Sequence, residues 1–325
     1  MRKCLAITLC MLLAISMLAM FGCSKSATLK FGAGVYVTAP STTDATADKE
    51  GTGKVDVTVA AVTIDADGKI VACALDTASN TVKFTADGKA VANNEFKTKY
   101  ELGADYNMVT YGGATKEWFE QADAFEALVA GKTLAEVKAL LAEGNKGTDE
   151  VINAGCTVMI NEFVGAIEKA YNAAVDSDVT AKDTLKVTAA TEQTCTDATA
   201  EKDGSNKVAT TVFAAALDAD GKVVAASSDC VEVAFTFDAK GAATLDTAKA
   251  VASKKEQGAN YGMVAYAGSA KEWFEQAAAF DAACVGKTAT EIAGLMGEDG
   301  KGVDTLQAAG CTIYVTGFVK AASKI

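Results

Sequence analysis

A Gly-Cys-Thr segment occurs twice in this chain and has residue types well suited to holding a ligand. The two copies are Gly155-Cys156-Thr157 and Gly310-Cys311-Thr312, and a helical pattern follows each copy. Glycine lets a backbone approach a ligand closely, and helix N-termini favour phosphate. The segment therefore fits a phosphate anchor. It also fits a helix entry with a buried cysteine and a threonine cap, and the sequence leaves both interpretations open.

The chain contains no histidine, which limits the chemistry it can perform unaided. Histidine is the commonest general base at neutral pH and the commonest metal ligand. Ser-His-Asp and Cys-His catalysis are therefore excluded within the chain. We predict no catalytic side chains and no metal site, whereas a bound cofactor that supplies the chemistry itself remains compatible with this composition.

The excess of acidic over basic residues argues against nucleic acid as a partner. The net charge is −12, and loss of Arg2 and Lys3 with residues 1–22 would make it −14. A field of this sign repels nucleic acid, so we expect no nucleic-acid partner.

The N-terminus has the layout of a secretory signal peptide. Arg2 and Lys3 precede an apolar run from Leu5 to Phe21, and Gly22-Cys23 closes it. The ending resembles a lipobox, in which the cysteine is lipidated and becomes the mature N-terminus. We therefore expect a signal peptide over 1–22 and a lipid anchor on Cys23. The alternative is a single N-terminal membrane-spanning anchor.

Either anchor places the remaining chain on the outer face of the membrane. Residues 23–28 would form a short tether. We expect an extracytoplasmic protein of the cell envelope, attached to the membrane at this end.

The remainder consists of two copies of one unit. At an offset of 155 residues, 36 of the 72 positions in 99–170 are identical to those in 254–325. The longest identical block is Lys-Glu-Trp-Phe-Glu-Gln-Ala, which starts at Lys116 and again at Lys271. A period of this length suits a duplicated globular domain better than a solenoid. We predict repeat 1 over 29–175 and repeat 2 over 183–325, with a polar boundary near 174–182.

Each repeat reads as strands first and helices afterwards. The patterns predict strands over 29–39, 55–64, 69–75 and 82–85, with a hairpin turn at 65–69. The spacing of Trp118, Ala122, Phe125 and Val129 predicts a helix, and so does the apolar face after Asn161. Thr133 and Thr288 each begin a capping-box pattern. The predicted fold class is α+β, with two tandem antiparallel-sheet domains that carry C-terminal helices.

The order of these elements resembles the FMN-binding domain family, which occurs in sodium-pumping NADH:quinone reductases and many exported lipoproteins. That family has an Asp-Gly-Lys-Ile hairpin turn, then a glycine-containing loop, then a Ser-Gly-Ala-Thr-like segment before the C-terminal helix. The corresponding segments here are 67–70 and 220–223 for the turn, 101–104 and 256–259 for the loop, and 154–157 and 309–312 for the closing segment.

The resemblance implies that Thr157 and Thr312 occupy the position that a flavin transferase esterifies to the FMN phosphate. It places the other candidate binding residues nearby: Gly155, Gly310, Cys156, Cys311, Gly103 and Gly258. The chain departs from the family where an aspartate is expected, since Val151 and Leu306 stand there. The implied function is extracytoplasmic electron transfer with a redox partner protein. The alternative is a solute-binding or structural lipoprotein that has lost the flavin.

Other polar and aromatic residues have simpler interpretations. Trp118 and Trp273 are predicted to be core residues, because aromatics at helical spacing usually are. Packing is also favoured for the four tyrosines of the glycine-bearing loops: Tyr106, Tyr111, Tyr261 and Tyr266. The six cysteines after Cys23 form no C-x-x-C motif, so free buried thiols are favoured over a Cys195–Cys230 bridge.

Overall fold

A computed structural model describes residues 27–93 and 95–325, and it confirms the α+β class. The predicted signal peptide and Cys23 lie outside the described residues. No helix in the described part of the chain is long and apolar enough to cross a membrane.

Repeat 1 contains the first five strands and five helices. The strands are β1 (Thr28–Val37), β2 (Ser41–Thr43), β3 (Gly51–Ile64), β4 (Ile70–Phe84) and β5 (Ala90–Val91). The helices are α1 (Lys99–Leu102), α2 (Trp118–Val129), α3 (Leu134–Ala139), α4 (Asp149–Ala154) and α5 (Asn161–Asn172).

Repeat 2 follows the same order after a connecting strand. The strands are β6 (Val175–Thr180), β7 (Thr184–Thr196), β8 (Gly204–Leu217) and β9 (Val223–Phe237). The helices are α6 (Lys254–Gln257), α7 (Trp273–Cys284), α8 (Ala289–Ala293), α9 (Asp304–Ala308) and α10 (Thr316–Ala322).

The strands form two antiparallel sheets. The first has the order β5-β4-β3-β1-β6, with β2 paired to β3, and the second has the order β7-β8-β9. The predicted hairpin is confirmed: Asp65 accepts hydrogen bonds from the backbone N–H groups of Asp67 and Lys69. The polar stretch proposed as the boundary contains β6, which pairs with β1.

The two sheets pack face to face. One face of each sheet contributes to a shared apolar cluster that includes Val57 and Val59 from repeat 1 and Val212, Val233 and Phe235 from repeat 2. The opposite face of each sheet packs against the helices of its own repeat. The result is a four-layer arrangement of helices, sheet, sheet and helices, so each sheet is buried on both faces.

One predicted pair of strands is wrong, because β4 runs without a break from Ile70 to Phe84. The polar residues between the two predicted strands face other polar groups inside the molecule. Thr77 and Thr58 hydroxyls lie 2.8 Å apart, and the Asn80 amide donates to Thr210 Oγ1 of repeat 2 at 2.9 Å. These bonds pair the Thr77 hydroxyl and the Asn80 amide nitrogen, whereas Asn80 Oδ1 has no hydrogen-bond partner among the described residues.

Candidate functional site

Each Gly-Cys-Thr segment ends a helix instead of beginning one. Gly155 has a φ of 102° and follows α4, and its N–H donates to Ile152 O. Gly310 has a φ of 103° and has the same position after α9. Glycine is favoured at this left-handed position. The threonines are therefore neither helix caps nor part of a helix N-terminus that could hold phosphate, because α5 and α10 begin four residues after them, with Ile160 and Val315 as N-caps. Both of these expectations are wrong.

A buried glutamine holds each threonine. The Thr157 N–H and Oγ1 both donate to Gln121 Oε1, at 2.8 and 2.9 Å. Thr312 donates in the same way to Gln276 Oε1, at 2.9 and 3.0 Å. Both threonines nevertheless remain exposed to solvent. Each hydroxyl therefore has a defined orientation at a position that a ligand or an enzyme can reach.

The identical Lys-Glu-Trp-Phe-Glu-Gln-Ala block lies next to the Gly-Cys-Thr segment. The sequence alone did not reveal this proximity. In repeat 2 the Glu272 carboxylate of this block accepts the N–H groups of Met263 and Val264, and so attaches the glycine-bearing loop to the start of α7. Trp273 is only 4% exposed and packs in the core, as predicted. Repeat 1 has the same arrangement at Glu117 and Trp118.

Two lysines lie near each Gly-Cys-Thr segment. Lys271 Nζ donates to Ala309 O at 3.3 Å and lies directly over Gly310, where an added Cβ would meet it at 2.2 Å. The backbone of Lys301 pairs with that of Tyr314, two residues after Thr312. Among the described residues neither lysine forms an ion pair.

Repeat 1 has lysines at the same two positions. Lys116 lies over Gly155, and Lys146 pairs with Met159. Neither of these two lysines forms an ion pair within the described part of the chain. An acidic chain thus places unpaired positive charge near a Gly-Cys-Thr segment twice.

The cysteine of each segment is unavailable to a ligand. The side chains of Cys156 and Cys311 are fully buried. Burial raises the pKa of each thiol to about 11, so both are protonated at neutral pH. All six cysteines in the described residues are free. The predicted role of Cys156 and Cys311 in cofactor contact does not agree with this geometry.

The two loop glycines have a role in the backbone conformation after a helix. Gly103 and Gly258 follow α1 and α6 with φ values of 52° and 53°, and each donates back to the preceding helical turn. The tyrosines beyond them differ in environment. Tyr106 and Tyr261 pack against the core, whereas Tyr111 and Tyr266 are 84% and 89% exposed, so the packing prediction is wrong for the second pair.

A groove of about 670 Å³ opens beside Thr312 in repeat 2. This volume lies within the range of about 300–1,000 Å³ that is typical of small-molecule sites. We call it the second-repeat groove; its lining includes Lys254, Tyr261, Trp273, Lys301, Thr312 and Tyr314. Gly258, Gly310 and Cys311 do not line it.

The lining combines aromatic rings with positive charge. Lys254 Nζ lies 4.9 Å from the Tyr261 ring centre and 5.4 Å from that of Trp273. Lys301 Nζ lies 5.7 Å from the Tyr314 ring centre. These are cation–π distances. These aromatic rings are therefore contacted by lysines of the chain itself, and Tyr314 is the most exposed of the three at 68%.

Two carboxylates in the groove are neutralised by protein partners. Glu232 Oε1 lies 3.1 Å from both Lys254 and Lys207, and Glu192 pairs with Lys320 at 2.6 Å. Lys301 is left available for a ligand anion. The exposed Tyr314 ring, Lys301 and Thr312 are therefore side chains of a type that suits an aromatic ligand carrying a phosphate, such as FMN.

A second cavity, of about 250 Å³, lies between the repeats. Asp76 and Glu126 line it together with Lys186 and Lys324 of repeat 2. Burial raises the pKa of Asp76 to about 6 and that of Glu126 to about 8. The equivalent of Glu126 in repeat 2, Asp281, instead bonds Ser228 and lies near Lys255.

Comparison with known proteins found no matching family model, no matching curated protein and no matching solved structure. Within the described residues, no group of three or more cysteine and carboxylate side chains is arranged to hold a metal ion.

Proposed function

We propose that this protein is a membrane-anchored, extracytoplasmic flavin-binding lipoprotein that takes part in electron transfer. The bound FMN would supply the redox chemistry, and the protein would supply position and electrostatics. The leading support is the exposed Thr312 together with Lys271 and Lys301, which form no ion pair within the described residues. Unneutralised lysine charge favours phosphate binding.

The lining of the second-repeat groove adds a separate line of support. Its aromatic rings suit a planar ring system, and Thr312 lies in the same lining as Lys301. A phosphate ester at Thr312 would lie close to positive charge. The aspartate of the family motif is replaced by buried Val151 and Leu306, which favours reversible binding as the form to test first.

The envelope location belongs to the same proposal. Its support is the N-terminal sequence, in which the apolar run ends at Gly22-Cys23. A labelled fatty acid incorporated into the wild-type chain, and not into a Cys23→Ala variant, is the expected result. Equal labelling of both chains would contradict the anchor.

The test of the cofactor is the intact mass and visible spectrum of residues 24–325, exported by a host that co-expresses a flavin transferase. Covalent attachment predicts one FMN mass lost in Thr312→Ala, and another lost in Thr157→Ala if both sites are used. Flavin absorbance with an unmodified mass would show reversible binding. An unmodified, colourless chain after incubation with excess FMN would contradict the proposal.

The alternative is a lipoprotein that binds a different solute or serves a structural role. The observation that favours it is the engagement of both threonine hydroxyls by buried glutamines, Gln121 and Gln276. A hydroxyl held in this way already has a structural use. Failure to bind FMN, with the fold intact, would leave this alternative.

A further inference from the structure

We propose that only repeat 2 binds the flavin, because two side chains of repeat 1 fill the equivalent site. This inference rests on the proposed function and narrows it from two flavins to one. The evidence comes from two positions in each repeat, one on the first long strand and one on the C-terminal helix.

The strand registers identify the equivalent positions. In repeat 1, Tyr36 on β1 lies opposite Thr58 on β3. In repeat 2, Ala190 on β7 lies opposite Thr211 on β8. Thr211 lines the second-repeat groove. A tyrosine ring in repeat 1 thus replaces a methyl group beside the groove.

The tyrosine ring fills space between sheet and helix. A Cβ added to Gly165 on α5 would meet the Tyr36 ring at 2.4 Å, so the ring lies against the helix backbone. Lys169 is on the same helix as Gly165, and its Nζ lies 5.9 Å from the centre of the Tyr36 ring. Tyr36 therefore occupies space between β1 and α5.

The second difference is on the C-terminal helix. Gly317 on α10 lines the groove, and its equivalent at an offset of 155 is Glu162 on α5. Thr58 Oγ1 donates to Glu162 Oε2 at 3.0 Å. In repeat 2 the helix backbone itself lies against the strand, since a Cβ added to Gly317 would meet Thr211 Oγ1 at 2.5 Å, so no side chain of α10 stands where the Glu162 carboxylate stands in repeat 1.

The charge of Glu162 also disfavours a phosphate-bearing ligand in repeat 1, in addition to the volume of the side chains there. Glu162 forms no ion pair among the described residues, so it adds negative charge where a phosphate-bearing ligand would enter. An anion near that carboxylate is disfavoured in a partly buried site. Repeat 1 therefore keeps the lysines Lys116 and Lys146 and the exposed Thr157 but lacks room for the ring.

Equilibrium dialysis of FMN against the full chain, purified in detergent from a host without a flavin transferase, tests this inference. We expect one FMN per chain. Gly317→Glu introduces the carboxylate of repeat 1, and Gly317→Ala is its matched control, because a Cβ at this position would meet Thr211 Oγ1 at 2.5 Å in both variants. Gly317→Glu should bind FMN at least tenfold more weakly than Gly317→Ala, with the same thermal midpoint and circular dichroism as that control.

Ala190→Tyr provides an independent block, and Glu162→Gly in repeat 1 provides the matched control that should leave the repeat 2 affinity unchanged. Two FMN per chain in the wild type, with one retained in Gly317→Glu, would overturn the asymmetry and leave the proposed function standing. No FMN bound by any folded variant at millimolar concentration would overturn the proposed function itself.

Discussion

At the residue scale, the most informative contact is the one between Gln276 and Thr312. One buried amide oxygen accepts both the backbone N–H and the hydroxyl of the threonine. The amide nitrogen donates to Lys271 O and to Ser269 Oγ, so the glutamine joins three segments. The identical block between the repeats is thus explained by the contacts that its members make.

Replacing this glutamine tests its structural role. Gln276→Leu removes both acceptor contacts while keeping a buried side chain, and we expect a loss of about 1–3 kcal/mol in the free energy of unfolding. Urea denaturation measures it. Gln257→Leu, at a surface site with one hydrogen bond, is the control and should change stability by less than about 0.5 kcal/mol. Equal effects would show that the Gln276 contacts are unimportant.

A second residue-scale prediction concerns Glu126. Burial raises the pKa of the Glu126 carboxyl to about 8. Its neighbours Asp76 and Asp123 also raise this pKa, whereas Lys186 lowers it. The folded chain therefore retains a proton that the unfolded chain releases near 4.5, the ordinary pKa of a glutamate side chain. The resulting stabilisation is present below that pH and is lost as the pH rises through about 8.

Glu126→Gln should remove this dependence. The amide can still accept from the Leu75 N–H, which lies 2.7 Å from Glu126 Oε1. We expect the variant to be more stable than wild type at pH 9, on the order of 2 kcal/mol, and similar to it at pH 4.5. Urea unfolding at both values measures the difference. Exposed Glu143→Gln is the control, and parallel curves for all three chains would contradict the assignment.

At the element scale, the helix that precedes each Gly-Cys-Thr segment decides where the threonine lies. The left-handed glycine reverses the chain after α4 and α9, and the cysteine then enters the core. The sequence pattern identified the segment and the following helix. It did not identify the short preceding helix, because six residues carry too little periodicity for a distinct signal.

Gly310→Ala tests this turn. A φ of 103° is strained for alanine, so we expect a loss of about 1–2 kcal/mol in the free energy of unfolding. Gly294→Ala is the matched control, because that glycine has a φ of −74° and no neighbour closer than 3.4 Å to an added Cβ. The control should be neutral or slightly stabilising in the same denaturation assay. An unaffected Gly310→Ala variant would show that the turn tolerates side chains.

At the scale of the whole molecule, the repeats form one sandwich with reciprocal contacts. Lys324 of repeat 2 pairs with Glu101 of repeat 1 at 2.8 Å, and the equivalent Lys169 pairs with Glu256 in the opposite direction. Phe84 and Phe237 stack with ring centres 4.5 Å apart. Since each sheet buries its second face on the other, the repeats stabilise each other.

The sequence predicted the duplication, the hairpins and the main helices, because these depend on local pattern. It did not predict the sandwich. The only signal was the incomplete alternation in 55–64, where residues facing both directions are apolar, as in a strand buried on both faces. Tyr36 and Glu162 likewise gave no sign of filling a site, since that depends on contacts between distant segments.

The shared core predicts that the repeats unfold together. Phe237→Ala should lower the free energy of unfolding by about 3–4 kcal/mol, because a fully buried ring is lost from the contact between the repeats. Calorimetry should show one transition in the wild type and one at lower temperature in the variant. Phe274→Ala, at a position 37% exposed, is the milder control. Two separate transitions, only one of them shifted, would contradict a common core.

The central claim is that the second-repeat groove holds FMN. Its most direct test is a crystal structure of the chain grown with saturating FMN. We expect density for one planar ring system against Tyr314, with the phosphate near Lys301 and Thr312. Density confined to the cavity lined by Asp76 and Glu126, or an empty second-repeat groove, would contradict the claim.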